Sequence, residues 1–283
     1  MNAQDNNNSH IRVINWNVNG TQNPTKLKKC LLYLKSRQAD VVLLQETHMR
    51  NSEAMKLRKG WVGHVFHSSF DSKKRGVAIL VHKKLKLVLL KEHKDEEGRV
   101  VCIETIINGK KINICNIYAP NEDDPDFFHK INRLLGTFED GCTILGGDFN
   151  QTPDPVLDRS KYYHAPSKGR VALGQLQEDI GLVDIWRLMN PNKREYTFYS
   201  HNHKSHSRID YFVISKDLIE SVIDSTIGVI ALTDHATVEL CVSICVEKVK
   251  SNRWRLSVSL LQNRHSQKNL QTYFRLTLVL LQK

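Results

Sequence analysis

The alternation of short apolar runs with segments of helical periodicity constrains this chain more than any other sequence feature. Residues 11–18 (IRVINWNV) and 39–47 (ADVVLLQET) are typical of β-strands, and residues 23–37 between them repeat apolar side chains with the helical period. Further on, Asn108-Gly109 interrupts a long strand-like run, which predicts a two-residue hairpin turn. Because hairpins accompany the alternating order, we predict an α/β fold with mixed sheets.

Later segments continue this pattern and then become rich in strands. The chain has no internal sequence repeat, and the pattern of strands and helices continues to about residue 247. We therefore predict one large domain over residues 10–247. Helices are predicted within residues 124–140 and 170–181, and strands within residues 75–90, 142–149, 208–215, 225–232 and 235–244.

The charge of the chain is concentrated near its end. The formal net charge is +11, and residues 248–283 contain eight Lys or Arg and no Asp or Glu, so residues 1–247 carry 11 − 8 = +3. We interpret residues 1–9 as a disordered polar N-terminus and residues 248–283 as a basic C-terminal extension or truncated linker. The positive balance makes a polyanion a plausible partner.

Two further observations exclude classes of protein. No apolar run approaches the roughly 20 residues that span a bilayer, and the polar N-terminus lacks a secretory signal, so we expect no membrane association. The six cysteines are scattered without a CxxC pair, which argues against zinc and for small buried side chains in a reducing, intracellular compartment.

Amide and carboxyl side chains stand at the ends of four apolar runs. In residues 12–20, the alternation of strand side chains places Asn15, Asn17 and Asn19 on one face. The other three ends carry Gln45, Glu46, Thr47, His48, Tyr118, Asp148 and Asn150. Each group alone is most simply a turn former, but sites in α/β folds form beyond the strand ends, so together they predict a shared polar pocket.

Two acidic groups and one histidine complete this set. Asp210 lies inside an apolar run, where a charge needs a partner, and Asp234 and His235 stand together just before the last predicted strand. Asp210 is therefore a candidate to orient the imidazole of His235.

The reactive groups favour one kind of chemistry. The sequence has no serine nucleophile elbow, no Walker loop, no GxGxxG and no Cys-His pair in a recognisable context. Carboxylates, amides, a Tyr and a His suit a magnesium-assisted phosphodiesterase, because Mg²⁺ prefers hard oxygen ligands. The metal and a cationic imidazole would neutralise transition-state charge, while a carboxylate activates water.

Seven motifs, in this order, resemble the endonuclease/exonuclease/phosphatase superfamily, the DNase I and exonuclease III type of fold. They are WNVNG, LLQETH, RGVAILV, NIYAPN, GGDFN, SRIDYF and TDHATVEL. The set is specific, although GGDFN alone is weak. The resemblance covers roughly residues 10–247. It implies a two-sheet α/β sandwich of the DNase I-like type, with mixed sheets packed face to face and helices outside.

Within the superfamily the chain is most similar to the endonuclease domain of LINE-type retrotransposons. The segments TPDPVLDRS, DIWRLMNPNKREYTFYS and RWRLSVSLL carry this likeness. It implies a Mg²⁺-dependent enzyme, with Mn²⁺ as a substitute, that nicks double-stranded DNA and leaves a 3′ hydroxyl. It further implies a nuclear monomer and, as a partner outside this chain, a reverse transcriptase.

The resemblance assigns roles to matching positions. Glu46 is implied as the main metal ligand, with Asn17 beside it and Asp234 as a further carboxylate on the metal side. Asp148 is implied to activate the attacking water, and residues 200–208 to form a hairpin that probes a DNA groove. The remaining implied roles are support of Asp148 by Asn150, phosphate contact by His235 and Tyr118, orientation of His235 by Asp210, and DNA contact by Asn19, Arg159, Thr197 and Arg208.

Other functions remain open from the sequence. One alternative is an apurinic/apyrimidinic endonuclease or an exodeoxyribonuclease III-like repair enzyme. The apurinic enzymes carry NVDG or NIDG where this chain has Asn19 in NVNG, which favours the retrotransposon type. A lipid or inositol phosphatase fits the DNA-like segments less well. A catalytically inactive nucleic-acid-binding remnant is the alternative from another class, although every required polar position is filled.

Overall fold

A computed structural model describes residues 10–161 and 166–244. The proposed N-terminal segment, residues 1–9, and the basic extension, residues 248–283, lie outside the described residues, so the domain assignment stays a prediction. Within the described part, no helix has the length and hydropathy needed to cross a membrane.

Short strands and few helices make up the described chain. The helices are α1 (Pro24–Ser36), α2 (Pro125–Leu135), α3 (Lys168–Ile180) and α4 (Ile185–Met189), with 3₁₀ turns at Asn51–Leu57 and Lys216–Ser221. The strands are β1 (His10–Asn17), β2 (Val41–Gln45), β3 (Val62–Ser68), β4 (Val77–His82), β5 (Leu87–Lys94), β6 (Val100–Ile107), β7 (Lys110–Tyr118), β8 (Cys142–Asp148), β9 (Leu182–Asp184), β10 (Phe198–Ser200), β11 (Ser205–Ser207), β12 (Asp210–Ser215), β13 (Val222–Ile227) and β14 (Val238–Ser243).

Two six-stranded sheets pack face to face. The first has the order β13-β14-β1-β2-β4-β3 and the second the order β5-β6-β7-β8-β12-β9. Each contains one parallel pair, β1 with β2 and β7 with β8, among antiparallel neighbours. Apolar side chains of both sheets, such as Val41 and Ile144, form one buried cluster. The predicted two-sheet sandwich with mixed sheets is confirmed.

Helices cover the outer faces of the two sheets. Leu34 of α1 packs with Val42 of the first sheet, and Phe128 of α2 and Leu176 of α3 pack with Leu145 of the second. These contacts bury the apolar stripe of each helix against a strand surface. The layers therefore run helix, sheet, sheet, helix.

Local signals in the sequence account for several element boundaries. The side chain of Asn23 accepts hydrogen bonds from the backbone N–H groups of Thr25 and Lys26 and so caps α1. Asn108 and Gly109 both have positive φ, 49° and 79°, and join β6 to β7. Positive φ at both central residues is the requirement of a type I′ turn, so the predicted hairpin is confirmed.

Three buried amide side chains, which we call the carboxamide bridge, connect the two sheets. Asn15 of β1 donates to the Gly147 carbonyl at 2.9 Å. Gln45 of β2 donates to Asn15 at 2.7 Å and to Asn116 of β7 at 2.6 Å. Asn116 in turn donates to the carbonyls of Leu44 and Ala78. Because these partners lie on both sheets, the bridge fixes how one sheet sits on the other.

Two sequence expectations about strands are wrong. Residues 225–232 were expected to form one strand, but β13 ends at Ile227 and residues 228–232 lie outside the strands. Asn19 does not continue the alternation of Asn15 and Asn17, because β1 ends at Asn17 and Asn19 turns to a φ of 43°. The first error matters for the surface near the site.

The carboxamide bridge provides a stability test. We expect Asn116→Ala to lower the free energy of unfolding by about 3 kcal/mol, because Gln45 and two backbone carbonyls lose a buried partner. Asn113→Ala is the matched control, since Asn113 is also buried on β7 but its Oδ1 has no hydrogen-bond partner among the described residues. Urea unfolding of both variants measures the difference; equal losses would contradict a special role for the bridge.

Candidate active site

The register of the second sheet brings two carboxylates together. β8 ends at Asp148, β12 begins at Asp210, and these two residues are direct neighbours in the antiparallel pair. His235 arrives from the first sheet, just before β14. Its Nδ1 lies 2.9 Å from Asp210 Oδ2, and its Nε2 lies 4.0 Å from Asp148 Oδ2. All three residues are buried, so the charges must compensate one another.

The charges of this cluster shift the pKa values of its members. Burial alone would lower the pKa of His235, but the negative charges of Asp210 and Asp148 outweigh burial and raise it to about 9. Burial and the charge of Asp210 raise the pKa of Asp148 to about 7. The imidazole is therefore a cation at neutral pH, and Asp148 can take up and release a proton there.

Glu46 follows β2 and lies beside this cluster. Burial opposes its ionisation, but hydrogen bonds from His48, Asn17 and Tyr118 outweigh burial and lower its pKa to about 2. Asn17 Nδ2 donates to Glu46 Oε1 at 2.9 Å and to Asp148 Oδ2 at 3.0 Å. Asn17 therefore joins the ionised Glu46 to the cluster of Asp148, Asp210 and His235.

Tyr118 stands at the end of β7, opposite Asp148 in the parallel pair. Burial and the charges of Glu46 and Asp148 raise the pKa of its phenol, so the hydroxyl stays protonated and can donate a hydrogen bond. The guanidinium of Arg99 lies 5.3 Å from the ring centre and donates to the Tyr118 carbonyl. Arg99 therefore holds the strand end and adds a positive charge beside the site.

Two asparagines in the left-handed region turn their side chains around the cluster. Asn150 has a φ of 49°, its N–H donates to Asp148 Oδ1, and its side chain donates to the Ala119 carbonyl. Asn19 is exposed and donates to Asp234 Oδ1 at 3.2 Å. Asn150 thus fixes the Asp148 carboxylate, whereas Asn19 and Asp234 form a polar rim above it.

Two of the residues predicted to contact DNA, Thr197 and Arg208, are buried. Thr197 is fully buried and its hydroxyl accepts hydrogen bonds from the N–H groups of Ile209 and Asp210. Arg208 is fully buried and pairs with Asp158 and Asp184. Both hold the start of β12, from which Asp210 extends.

The other predicted DNA-contacting elements lie nearer the surface. Arg159 is partly exposed, and its Nε donates to Thr152 Oγ1 at 3.2 Å. The hairpin predicted for residues 200–208 is formed by β10 and β11 and spans residues 198–207. The backbones of Phe198 and His235 form an isolated antiparallel β-bridge, and the centroids of their rings lie 4.6 Å apart. The hairpin is therefore attached directly to the cluster, and its DNA contact stays a prediction.

The sequence placed His48 in the shared polar pocket without a role and did not single out Asp158. His48 Nε2 lies 3.1 Å from Glu46 Oε2, and Asp158 pairs with the buried Arg208. The LLQETH motif contains His48 beside Glu46, but the left-handed backbone that turns the ring toward the carboxylate is not visible in the letters. For Asp158 no local signal was available, because the sequence does not show that Arg208 is buried and needs an acidic partner.

The donor set suits a divalent cation with oxygen preference. The carboxylate oxygens of Asp148 and Asp210 lie within 4.8 Å of each other and of a ring nitrogen of His235, which as an imidazolium does not itself bind a metal. Glu46 is ionised beside them and is joined to them through Asn17. A cation held by Glu46 would offset the concentration of negative charge that raises the pKa of Asp148. The residues therefore fit Mg²⁺ or Mn²⁺ better than a sulfur-preferring metal.

The raised pKa of Asp148 makes stability depend on pH. The pKa of Asp148 is about 7 in the folded protein against an ordinary 3.8. Between these two pH values the folded protein keeps a proton that the unfolded chain releases. Stability therefore falls as the pH rises through this range. Asp148→Asn lacks this loss. We expect the free energy of unfolding of this variant, measured in EDTA relative to wild type, to increase by about 2 kcal/mol when the pH is raised from about 5 to about 8.

Urea unfolding at both pH values measures this change. Asp158→Asn is the matched control with the opposite sign, because the pKa of Asp158 is lowered, with its pairing to Arg208 outweighing burial. This control should be less stable than wild type by a similar amount at both pH values. A gain for Asp148→Asn that does not change with pH would contradict the assignment.

Comparison with known proteins places this geometry in a family. The model of the endonuclease/exonuclease/phosphatase family matches residues 14–235. The chain is 30% identical over 270 residues to the "Transposon TX1 uncharacterized 149 kDa protein" of Xenopus laevis, covering 94% of this chain and 20% of that protein. The chain thus spans about a fifth of that relative's length.

Two shorter proteins are matched over nearly their whole length. An exodeoxyribonuclease of Bacillus subtilis is 26% identical over 261 residues, covering 83% of this chain and 100% of that protein. The structure of an AP endonuclease from Archaeoglobus fulgidus superposes with a TM-score of 0.64 at 24% identity, covering 81% of this chain and 98% of the other. The superfamily and fold inferred from the seven motifs are confirmed: the chain belongs to the endonuclease/exonuclease/phosphatase family.

Proposed function

We propose that this chain is a divalent-metal-dependent phosphodiesterase that nicks double-stranded DNA. The observation that carries the proposal is the link from ionised Glu46 through Asn17 to the buried Asp148, Asp210 and His235. This arrangement combines a hard oxygen ligand for a cation, a carboxylate with a pKa near neutrality and an imidazolium. The named activities of the exodeoxyribonuclease and AP endonuclease relatives support DNA as the substrate.

Each residue has a distinct role in the proposed hydrolysis. Asp148 accepts a proton from the attacking water, and the Asn150 N–H keeps its carboxylate in place. The water oxygen bonds to phosphorus while the bond from phosphorus to the 3′ oxygen breaks, which leaves a 5′ phosphate and a 3′ hydroxyl that takes its proton from solvent. Glu46 and Asn17 would hold a divalent cation, which would supply charge stabilisation for the reacting phosphate.

His235 and Tyr118 stabilise the phosphate in this scheme. Asp210 keeps His235 protonated and oriented, so that the imidazolium can neutralise negative charge on a phosphate oxygen. The Tyr118 hydroxyl, held neutral by its environment, donates a hydrogen bond to another oxygen. Both groups act in a largely buried site, where electrostatic interactions are stronger than in water.

We further propose the retrotransposon type of nicking, in the nucleus and by a monomer. The match to the transposon protein covers 94% of this chain, and a reverse transcriptase acting with it is part of this proposal. Asn19 donates to Asp234 on the rim, and Asp at position 19 would instead place two carboxylates together. The difference between NVNG and the NVDG of apurinic endonucleases therefore changes the charge of the rim.

A repair nuclease remains the second candidate. The full-length match to the bacterial exodeoxyribonuclease favours it, because the core polar groups suit the same hydrolysis. An inactive remnant is less well supported, since Glu46, Asp148, Asp210 and His235 are present and connected.

Nicking of supercoiled plasmid tests the proposed reaction. We expect residues 1–283 to convert plasmid to the open circle with Mg²⁺ or Mn²⁺ and to stop in EDTA. Asp148→Ala and His235→Ala should each lower the rate at least about a hundredfold, the usual loss of a general base or an electrostatic contact. His93→Ala is the matched control, because His93 forms a similar His-carboxylate pair with Glu104, at 2.8 Å, on the second sheet.

Nearly normal nicking by Asp148→Ala, or activity that persists in EDTA, would overturn the proposal. Two labelled duplexes then separate the candidates, one with an abasic site and one with a pyrimidine/adenine junction in a T-rich run. Preference for the junction is the outcome expected of the retrotransposon type. Preference for the abasic site would replace it by the repair nuclease.

A further inference from the structure

Four consecutive apolar residues, Val229-Ile230-Ala231-Leu232, are exposed next to the candidate active site. We call them the apolar loop. The exposed fractions of Val229, Ile230 and Leu232 are 75%, 38% and 38%, and Ala231 is also exposed. Scattered exposed apolar side chains are ordinary, but an uninterrupted apolar surface beside a polar site indicates a contact with another molecule.

Both ends of the apolar loop are attached to the elements that carry the site. At one end, the Gly228 N–H donates to the Thr237 carbonyl at 2.8 Å. At the other end, the Thr233 hydroxyl donates to the Asn17 carbonyl at 3.1 Å and to the His235 carbonyl at 2.9 Å. The loop therefore projects from the backbone that carries the proposed site residues Asn17 and His235.

The position of the loop limits what can cover it. His235 is only 5% exposed, so a phosphate can reach it only if the surrounding surface also contacts the substrate. A DNA duplex is far wider than the site, and it would continue over the neighbouring loop. Because the loop has no charged or hydrogen-bonding side chain, it is not suited to phosphates; it is suited to sugars and base edges.

We propose that the apolar loop is a wedge that contacts the sugar and base edges of duplex DNA in the minor groove beside the scissile phosphate. This inference rests on the proposed function, in that the substrate is DNA. Apolar side chains that enter a minor groove partly unstack a base step, and the energy of this distortion depends on the step. The loop would thereby favour flexible steps at the nick without hydrogen bonds to bases.

The chain offers a matched control surface. Val88 and Leu90 are 57% and 47% exposed on β5, the edge strand of the second sheet. They resemble Val229 and Ile230 in size and exposure, but they lie on a strand with no residue of the candidate site. The test compares the double variant Val229→Ser/Ile230→Ser with Val88→Ser/Leu90→Ser in the full chain.

Fluorescence anisotropy in EDTA measures affinity for a labelled duplex without cleavage. We expect the loop variant to bind about tenfold more weakly, because two apolar side chains no longer leave water on binding. Its slope of log affinity against log salt should equal that of wild type, since no phosphate contact is lost. The preference for a duplex with a central TpA step over one with an ApA step should also fall, whereas the control variant should match wild type.

Several results would overturn the wedge. One is wild-type affinity in the loop variant, and another is a reduced salt slope, which would indicate a phosphate contact. A third is loss of self-association in sedimentation with unchanged DNA affinity, which would make the loop a contact between two copies. Because binding is measured without metal, a wild-type protein that binds DNA but does not nick it with Mg²⁺ would overturn the proposed function and leave the wedge standing.

Discussion

The ion pair between His235 and Asp210 joins the two sheets of this protein at the point where its chemistry is proposed to occur. Asp210 begins β12 in the second sheet, whereas His235 precedes β14 in the first. A buried imidazolium with one carboxylate 2.9 Å away and another at 4.0 Å exists only if the sheets pack in one arrangement. The site is therefore a consequence of the sandwich and not of either sheet alone.

The carboxamide bridge explains how that arrangement is maintained. Apolar contacts between sheets tolerate small sliding, because dispersion and burial have little directionality. The hydrogen bonds of Asn15, Gln45 and Asn116 are directional, and sliding would leave buried amides without partners. The three asparagines at the end of β1 therefore have different roles. Asn15 fixes the position of one sheet on the other, Asn17 joins Glu46 to Asp148, and Asn19 lies on the polar rim.

The sequence predicted much of the fold, because periodicity and turn residues are local signals. The capped α1, the turn at Asn108-Gly109 and the alternation of elements follow directly from the residues that form them. The predicted single strand over residues 225–232 was wrong. Their β-branched side chains favour a strand, but pairing with β14 ends at Ile227 and Val238, so the following residues have no partner strand.

The sequence predicted which polar residues form the site, but it did not predict which of the surrounding residues are buried. The motifs identified which polar residues belong together, and the structure brings Glu46, Asn17, Asp148, Asp210 and His235 into one network. Burial is a property of the whole fold, and the sequence did not indicate that Thr197 and Arg208 would be buried and hold the start of β12. No local pattern distinguishes an Arg that faces a phosphate from one that is enclosed by Asp158 and Asp184.

Titration of the His235 ring tests this account most directly. NMR of ¹⁵N-labelled histidine in the metal-free protein follows the protonation of each ring, and Asp210→Asn identifies the signal that depends on this pair. We expect His235 to remain an imidazolium up to about pH 9 and to lose its proton at markedly lower pH in Asp210→Asn. Deprotonation at or below the ordinary value of 6.5 in the wild-type protein would contradict the charged pair on which the site depends.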